Sequence, residues 1–405
     1  MSFFLRDRLA RLRAPEMNLM GVAFANDLAV ACVALGVQQY AIHMGAQPVV
    51  SGLLGTFSAA SYTLGCLVAG SVSDAWGRKQ PAIVASLGCA VVWLLMIAAR
   101  SPYHLLALVP FSGFSLSLLW PPMQAWLSEF SAGNRHRLNR TMALFNVSWT
   151  AGIMLGPLLA GFIWDSCWWL SFALPAALAT GCIFLLARTP TYEQVDLPAP
   201  EERPLNAERA RLFLLMAWVG NFASWYARGT VGSLFPQLSK TLGFSSALLG
   251  TLIFVMSLAQ FAMFMLTRRE HGWQYNIRTL LLGEFVGMAG MLLAAIANQP
   301  VMFVVAFAAG GLCSGVTYAG SLFYALDGVH EDRGKRSGLH EAVLGSGIVV
   351  GPLLGGLLGQ TISLHAPYVA AAAVFAAAMA VQLVMWHGAR RRSAREVEAH
   401  ASAAV

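Results

Sequence analysis

Residues Arg140 to Gly161 read RTMALFNVSWTAGIMLGPLLAG, and Lys335 to Gly356, 195 residues on, read KRSGLHEAVLGSGIVVGPLLGG. Eight of the 22 positions are identical: Leu144, Gly152, Ile153, Gly156, Pro157, Leu158, Leu159 and Gly161. Chance in an Ala/Gly/Leu-rich chain would give roughly two. The offset recurs outside this stretch. Leu53-Leu54-Gly55-Thr56 returns as Leu248-Leu249-Gly250-Thr251, Asn26 falls on Asn221, and Gly77 on Gly272. The chain therefore reads as two copies of one design.

Each copy is strongly apolar. Of 405 residues 57% are hydrophobic and only 11% charged, with mean hydropathy +0.62. Soluble domains carry about 25% charged residues, so this composition belongs to membrane proteins. Apolar stretches of about 20 residues, the length that crosses a hydrocarbon core, occur at 17–40, 48–71, 80–99, 103–128, 141–164, 168–187, 211–237, 245–267, 277–297, 300–325, 338–361 and 366–387. That is six spans per copy. The basic, then apolar amino terminus reads as the first span rather than a secretory signal, because its apolar run is long and lacks a small-residue cleavage site. The six cysteines lie in or beside spans without metal-ligand spacing, which predicts inert packing residues.

Net charge +7 might point to nucleic acid, but its placement rejects that partner. With alternating spans, 23 of the 26 Lys and Arg residues fall on the side that holds both termini. Only Arg100 and Lys240 fall on the other side, and Arg228 lies within a span. This is the positive-inside distribution, and it predicts cytoplasmic termini.

Ionisable residues inside spans are costly and are candidates for function. Asp27, after Asn26, falls near the middle of span one; the alternative is a structural hydrogen bond to a neighbouring helix. Arg228 in span seven, after Trp225, has three readings: an anion site, a partner for an acid, or a side chain that snorkels outward. Glu341 in span eleven reads as a proton site or as a gate contact to Arg336, and Glu284 in span nine as a partner of Arg278. In span four, Pro121-Pro122 interrupts the helix, and Trp120, Gln124 and Trp126 are candidates to line a pocket; tryptophan near a span end also serves as an interfacial anchor. Glu129, at the end of that span, is a latch candidate within reach of Arg78 or Arg140.

The run Gly70-Ser71-Val72-Ser73-Asp74-Ala75-Trp76-Gly77-Arg78-Lys79 resembles the loop 2–3 signature of the major facilitator superfamily, with every fixed position filled. Physically, its glycines allow close helix ends, Asp74 can cap the next helix, and Arg78 offers a fork to a carboxylate. Gly152, Gly156 and Pro157 resemble the superfamily's antiporter motif, with Ala143 and Ala160 where glycine is usual. Gly338, Gly347, Gly351, Pro352, Gly355 and Gly356 give the complete pattern. Small residues every fourth position give close helix contact and proline adds a bend, so both copies read as packing hinges.

The resemblance implies an all-α membrane fold of two pseudo-symmetric six-helix bundles, 1–187 and 211–389, with a cytoplasmic linker at 188–210 and a tail at 390–405. It implies a cavity lined by Asn26, Gln38, Trp120, Gln124, Asn221, Trp225, Arg228 and Tyr318. It also implies proton coupling at Asp27 or Glu341, and a cytoplasmic latch of Gly70, Asp74, Gly77, Arg78, Glu129 and Arg140. The expected activity is secondary transport of a small molecule across the inner (plasma) membrane by alternating access, as proton-coupled export. Uptake by symport or facilitation of a sugar, organic acid or peptide, and lipid or lysolipid transport, remain alternatives. The expected partners are a small-molecule substrate, protons and the bilayer, with the chain a monomer. No phosphate-binding Gly-x-x-x-x-Gly-Lys loop, nucleophile–base set or metal spacing occurs, so neither an enzyme nor a cofactor is expected.

Overall fold

The computed structural model describes residues 14–129, 135–191, 207–269, 272–326 and 333–403. Among these, the regular structure consists of thirteen α-helices. They are α1 (Ala14–His43), α2 (Pro48–Trp76), α3 (Lys79–Ile97), α4 (Pro102–Ser117), α5 (Trp120–Glu129), α6 (Arg135–Cys167) and α7 (Leu170–Arg188). After them come α8 (Ala207–Thr241), α9 (Ser246–Arg269), α10 (Ile277–Ile296), α11 (Pro300–Leu326), α12 (Arg333–Thr361) and α13 (Ala366–Ala403). The paired prolines split span four into α4 and α5, as expected. They fall in the first turn of α5, where backbone N–H groups have no helical partner to lose.

Eleven spans among the described residues are long and apolar enough to cross a membrane, α4 and α5 counting as one. The remaining helix of this length is α8. Its 35 residues reach roughly 50 Å at 1.5 Å per residue, but Asn221, Arg228 and flanking charges dilute its hydropathy.

Helix ends follow local chemistry. Pro48 and Pro102 occupy first turns, where a fixed φ favours helix entry. Gly45 (φ 86°) and Gly243 (φ 73°) end α1 and α8 in the left-handed region, and the residue after each donates back to a carbonyl five earlier: Ala46 to Ala41 at 2.9 Å, Phe244 to Ser239 at 3.0 Å.

Within the first copy α1 packs along α6 and α7, α2 against α4, and α3 against α4 and α7; in the second, α10 packs against α11 and α13. The closest crossings are made by the glycines of the repeated stretch. A Cβ on Gly152 would stand 2.8 Å from Leu28 N and 3.1 Å from Asp27 Cβ, and would collide with the Phe24 carbonyl. On Gly347 it would stand 2.7 Å from Phe222 O, 2.9 Å from Tyr226 N and 3.1 Å from Trp225 Cβ. Gly156 and Gly351 repeat the arrangement one turn on, against Leu28 and Tyr226. α6 thus lies backbone to backbone on α1, and α12 on α8.

These contacts revise the register of the repeat. Gly152 and Gly347 are 195 apart, but the residues they touch, Phe24 and Phe222, Asp27 and Trp225, Leu28 and Tyr226, are 198 apart. The same 198 relates Gly45 to Gly243, and Gly77 (φ 77°) to Tyr275 (φ 53°). The offset therefore holds at 195 only for α6 and α12. The Asn26/Asn221, Gly77/Gly272 and Leu-Leu-Gly-Thr identities are out of structural register: packing partners define equivalence, and three extra residues separate the fourth and fifth spans of the first copy.

The chain divides into two compact units: residues 1–198 with 232–257 and 352–364, and residues 199–231 with 258–351 and 365–405. The first unit takes in the C-terminal ends of α8 and α12 and the start of α9. Inside it Gly52 meets Gly356 and Gly161 meets Gly250, each with a would-be Cβ 3.0 Å from the partner's Cα. Gln237 Nε2 donates to Ala46 O (2.8 Å) and Ser51 Oγ (3.0 Å), Lys240 Nζ to Ile42 O (3.1 Å), and Ser246 Oγ to Asp165 Oδ1 (2.7 Å).

A methyl at a crossing glycine has to displace backbone. Gly347→Ala is expected to lower stability by about 1–3 kcal/mol, read as a reduced melting temperature of the purified protein. Gly181→Ala, in a helix with nothing within 4 Å of the new Cβ, should be neutral or raise it by up to about 1 kcal/mol.

Candidate functional site

The second unit gathers aromatic and ionisable side chains from four helices. On α8, Arg228 folds back one turn so that its guanidinium carbon lies 5.4 Å from the Trp225 ring centroid. The side chain is half-buried and turned toward the N-terminal end of α8. Tyr318 on α11 is 6.2 Å from Trp225, 5.5 Å from Phe264 of α9 and 5.0 Å, edge to face, from His340 of α12. His340 is fully buried and its Nδ1 shares a 2.7 Å hydrogen bond with Ser321 Oγ on α11. The other ring nitrogen, Nε2, and the Trp225 indole N–H have no hydrogen-bond partner among the described residues. Glu341 follows His340 with an accessible side chain and lies near Tyr318. The cluster thus offers flat faces, a cation, a carboxyl and spare hydrogen-bonding groups.

Asn221 lies one turn before Trp225. It is fully buried, with neither amide atom bonded among the described residues. A buried amide with both ends open is expensive, which suits a polar ligand or ordered water.

In the first unit Asp27 and Asn26 sit at the midpoint of α1, 5% and 2% exposed. Asp27 Cβ lies where α6 crosses at Gly152, so this glycine makes room for the acid as well as for the backbone. Trp120 on α5 stacks edge to face on Phe145 of α6 at 5.8 Å. Gln124 is exposed, as is Asn146, which accepts from Trp149 Nε1 at 3.0 Å. Trp126, in contrast, is fully buried in a core cluster and donates to Pro190 O at 3.1 Å. Gln38 is buried near the end of α1 and donates to Ser51 O at 3.1 Å, tying α1 to α2.

In the loop 2–3 signature, Arg78 bonds Asp74 at 2.5 Å and Ser73 Oγ at 2.9 Å. Asp74 therefore pairs inside the motif instead of capping α3, whose N-cap is Arg78 without a side-chain bond. Lys79 Nζ reaches Ala187 O at 3.0 Å, close to the C-terminus of α7, where a cation satisfies spare carbonyls. The burial and side-chain surroundings of Gly70, Glu129, Arg140 and Arg336 lie outside the described residues.

Sequence reasoning missed His340, Ser321 and Phe264. Histidine beside Glu341 was visible, but which of the two turns inward depends on where α12 meets α11. With the 198 register, Tyr318 becomes the counterpart of Trp120 and Trp225 that of Asp27, a signal that the 195 offset concealed.

The sequence model of the Major Facilitator Superfamily matches residues 19–269 and again 217–404. The class C tetracycline resistance protein of Escherichia coli is 40% identical over 105 residues, 24% of this chain and 25% of that protein. The inner membrane metabolite transport protein YgcS of Escherichia coli (strain K12) is 35% identical over 158 residues, 36% of this chain and 35% of that protein. The chain therefore spans about a quarter and a third of these curated relatives. Among solved structures, a bacterial homolog of the human lysosomal transporter Spinster, inward-facing and occupied, superposes with a TM-score of 0.73 at 14% identity, covering 92% of this chain and 96% of that one. That likeness concerns the fold alone.

Removing the Ser321 hydroxyl leaves a buried imidazole nitrogen unmet. Ser321→Ala should therefore cost about 1–3 kcal/mol, measured by thermal melting, and Ser321→Thr should recover most of it.

Proposed function

The chain belongs to the major facilitator superfamily, and from that premise we propose that it is a proton-coupled exporter of a flat small molecule bearing an anionic group. The observation that carries this reading is the α8–α11–α12 cluster: Arg228 held over Trp225, with Tyr318 and His340 beside it. Aromatic faces take up a flat body through stacking, and a guanidinium fixed by stacking presents its donors to a carboxylate or similar oxyanion with little ordering cost. As a multi-span protein of the plasma membrane, the chain exposes this site to each side in turn by alternating access.

Asp27 and Glu341 are the proton carriers in this scheme. Asp27 lies at mid-helix against α6, so a change in that crossing alters its surroundings. Glu341 stands beside the cluster and can exchange a proton for substrate. The stretch shared with the tetracycline resistance protein supports the outward direction. The bundles 1–187 and 211–389 are the moving bodies, the glycine–proline crossings their hinges, and the Asp74–Arg78 signature part of the cytoplasmic latch. The chain works as a monomer.

The test uses proteoliposomes of the purified protein at zero membrane potential, with candidate compounds added outside and lumenal pH followed. Antiport predicts that inward movement of substrate makes the lumen alkaline. Acidification would mean symport, and entry without any pH change would remove proton coupling. Asp27→Asn should abolish proton-driven accumulation while substrate exchange survives; full accumulation by this variant would exclude Asp27 as carrier. Arg228→Gln should weaken binding of an anionic substrate by at least about tenfold, the value of a charge-assisted contact of about 1.4 kcal/mol, and leave a neutral analogue little changed.

A further inference from the structure

A second acid is buried in the C-terminal helices, away from the cluster on α8, α11 and α12. Glu284 lies near the middle of α10 and is fully buried. A Cβ on Gly220 of α8 would collide with its Oε1, so glycine there leaves the carboxyl its space. Gln382 of α13, itself fully buried, donates from Nε2 to Glu284 Oε1 at 2.5 Å and to the Met216 carbonyl of α8 at 2.9 Å. Both amide hydrogens are thereby committed. The Met216 carbonyl also fixes which way the amide faces, because the flipped form would set oxygen against oxygen.

Two atoms are left over, Glu284 Oε2 and Gln382 Oε1, and neither has a hydrogen-bond partner among the described residues. Both are acceptors when the acid is ionised. The expected pair with Arg278 is not made: that residue is exposed at the start of α10, and among the described residues Glu284 has no ion-pair partner. An ionised Glu284 would combine a bare buried charge with two unmet acceptors, the most costly arrangement available inside a bilayer-embedded bundle. One proton on Glu284 removes the charge and converts one of the two orphan acceptors into a donor.

We propose that Glu284 and Gln382 form a proton-binding site within the C-terminal helices, separate from Asp27 and Glu341. The groups that face Glu284 are Gly220 and the Met216 carbonyl on α8, Cys313 on α11 and Gln382 on α13. Cys313 is the titratable one among them. It directly precedes Ser314, whose Oγ accepts from Ser224 Oγ of α8 at 2.9 Å. Ser224 directly precedes Trp225, so buried polar side chains run from Glu284 to the part of α8 that carries the cation and the indole.

Infrared spectroscopy of the purified protein in lipid at neutral pH tests the site without any substrate. The expected result is a carbonyl band of a protonated carboxylic acid that loses one group's intensity in Glu284→Gln, with the melting temperature little changed, because an amide reproduces the neutral acid's donor. An identical protonated-acid band in the folded variant, or loss from the carboxylate band instead, overturns the proposal. If Glu284→Gln does not fold, native protein is treated with dicyclohexylcarbodiimide, an apolar reagent for protonated carboxyls, and adducts are mapped by mass spectrometry. An adduct on Glu284 is expected. Modification of other membrane carboxyls with none at Glu284 overturns the site.

Discussion

Everything in this protein rests on helices meeting at their backbones. Lipid tails are as apolar as leucine, so helices in a membrane gain nothing by hiding side chains from water and must hold together by close packing. Gly152 and Gly156 let α6 lie on α1, and Gly347 and Gly351 do the same for α12 on α8. Such contacts are rich in dispersion but poor in specific bonds. They resist a single methyl, yet a sliding or rocking motion costs them little. A transporter needs both properties at once, and glycine supplies both because it offers a surface with no knobs.

The crossings also decide where polar chemistry can stand. Asp27 lies against Gly152 and Trp225 against Gly347, so the two copies place different residues at equivalent points. One copy presents a carboxyl there. The other presents an indole with a guanidinium stacked on it. A duplicated scaffold has thus become chemically one-sided while its backbone contacts remain alike.

Much of this was legible in the sequence. Composition, the twelve apolar stretches and the Gly-Pro-Leu-Leu repeat were enough for a duplicated helical membrane protein, because a bilayer permits few ways to bury a backbone, and the loop 2–3 signature supplied the family arrangement. The site was legible in its residue types, as Asp27, Trp225, Arg228 and Tyr318 show, but not in its pairings. Asn26 with Asn221 is an identity without structural meaning, since α8 is shifted by three residues relative to the spacing of α6 and α12. Only the face that each helix turns to its neighbour reveals such a shift. The same holds for Glu284, whose obvious partner by sequence distance was Arg278, six residues before it; its actual partner, Gln382, comes from α13.

The turn between α9 and α10 shows what the shift means for making the protein. Its counterpart in the first copy uses Gly77, which adopts a left-handed backbone unaided. Tyr275 also takes a positive φ, of 53°, with a side chain that disfavours it. It is held from outside: its backbone N–H donates to Tyr324 Oη at 2.8 Å, its carbonyl accepts from Arg209 Nη2 at 3.1 Å, and its ring packs against Phe213 and Tyr324. Tyr324 belongs to α11, which leaves the ribosome after the turn does. The first copy's corner needs only its own glycine, whereas the second's is completed by residues from two other helices, α8 and α11.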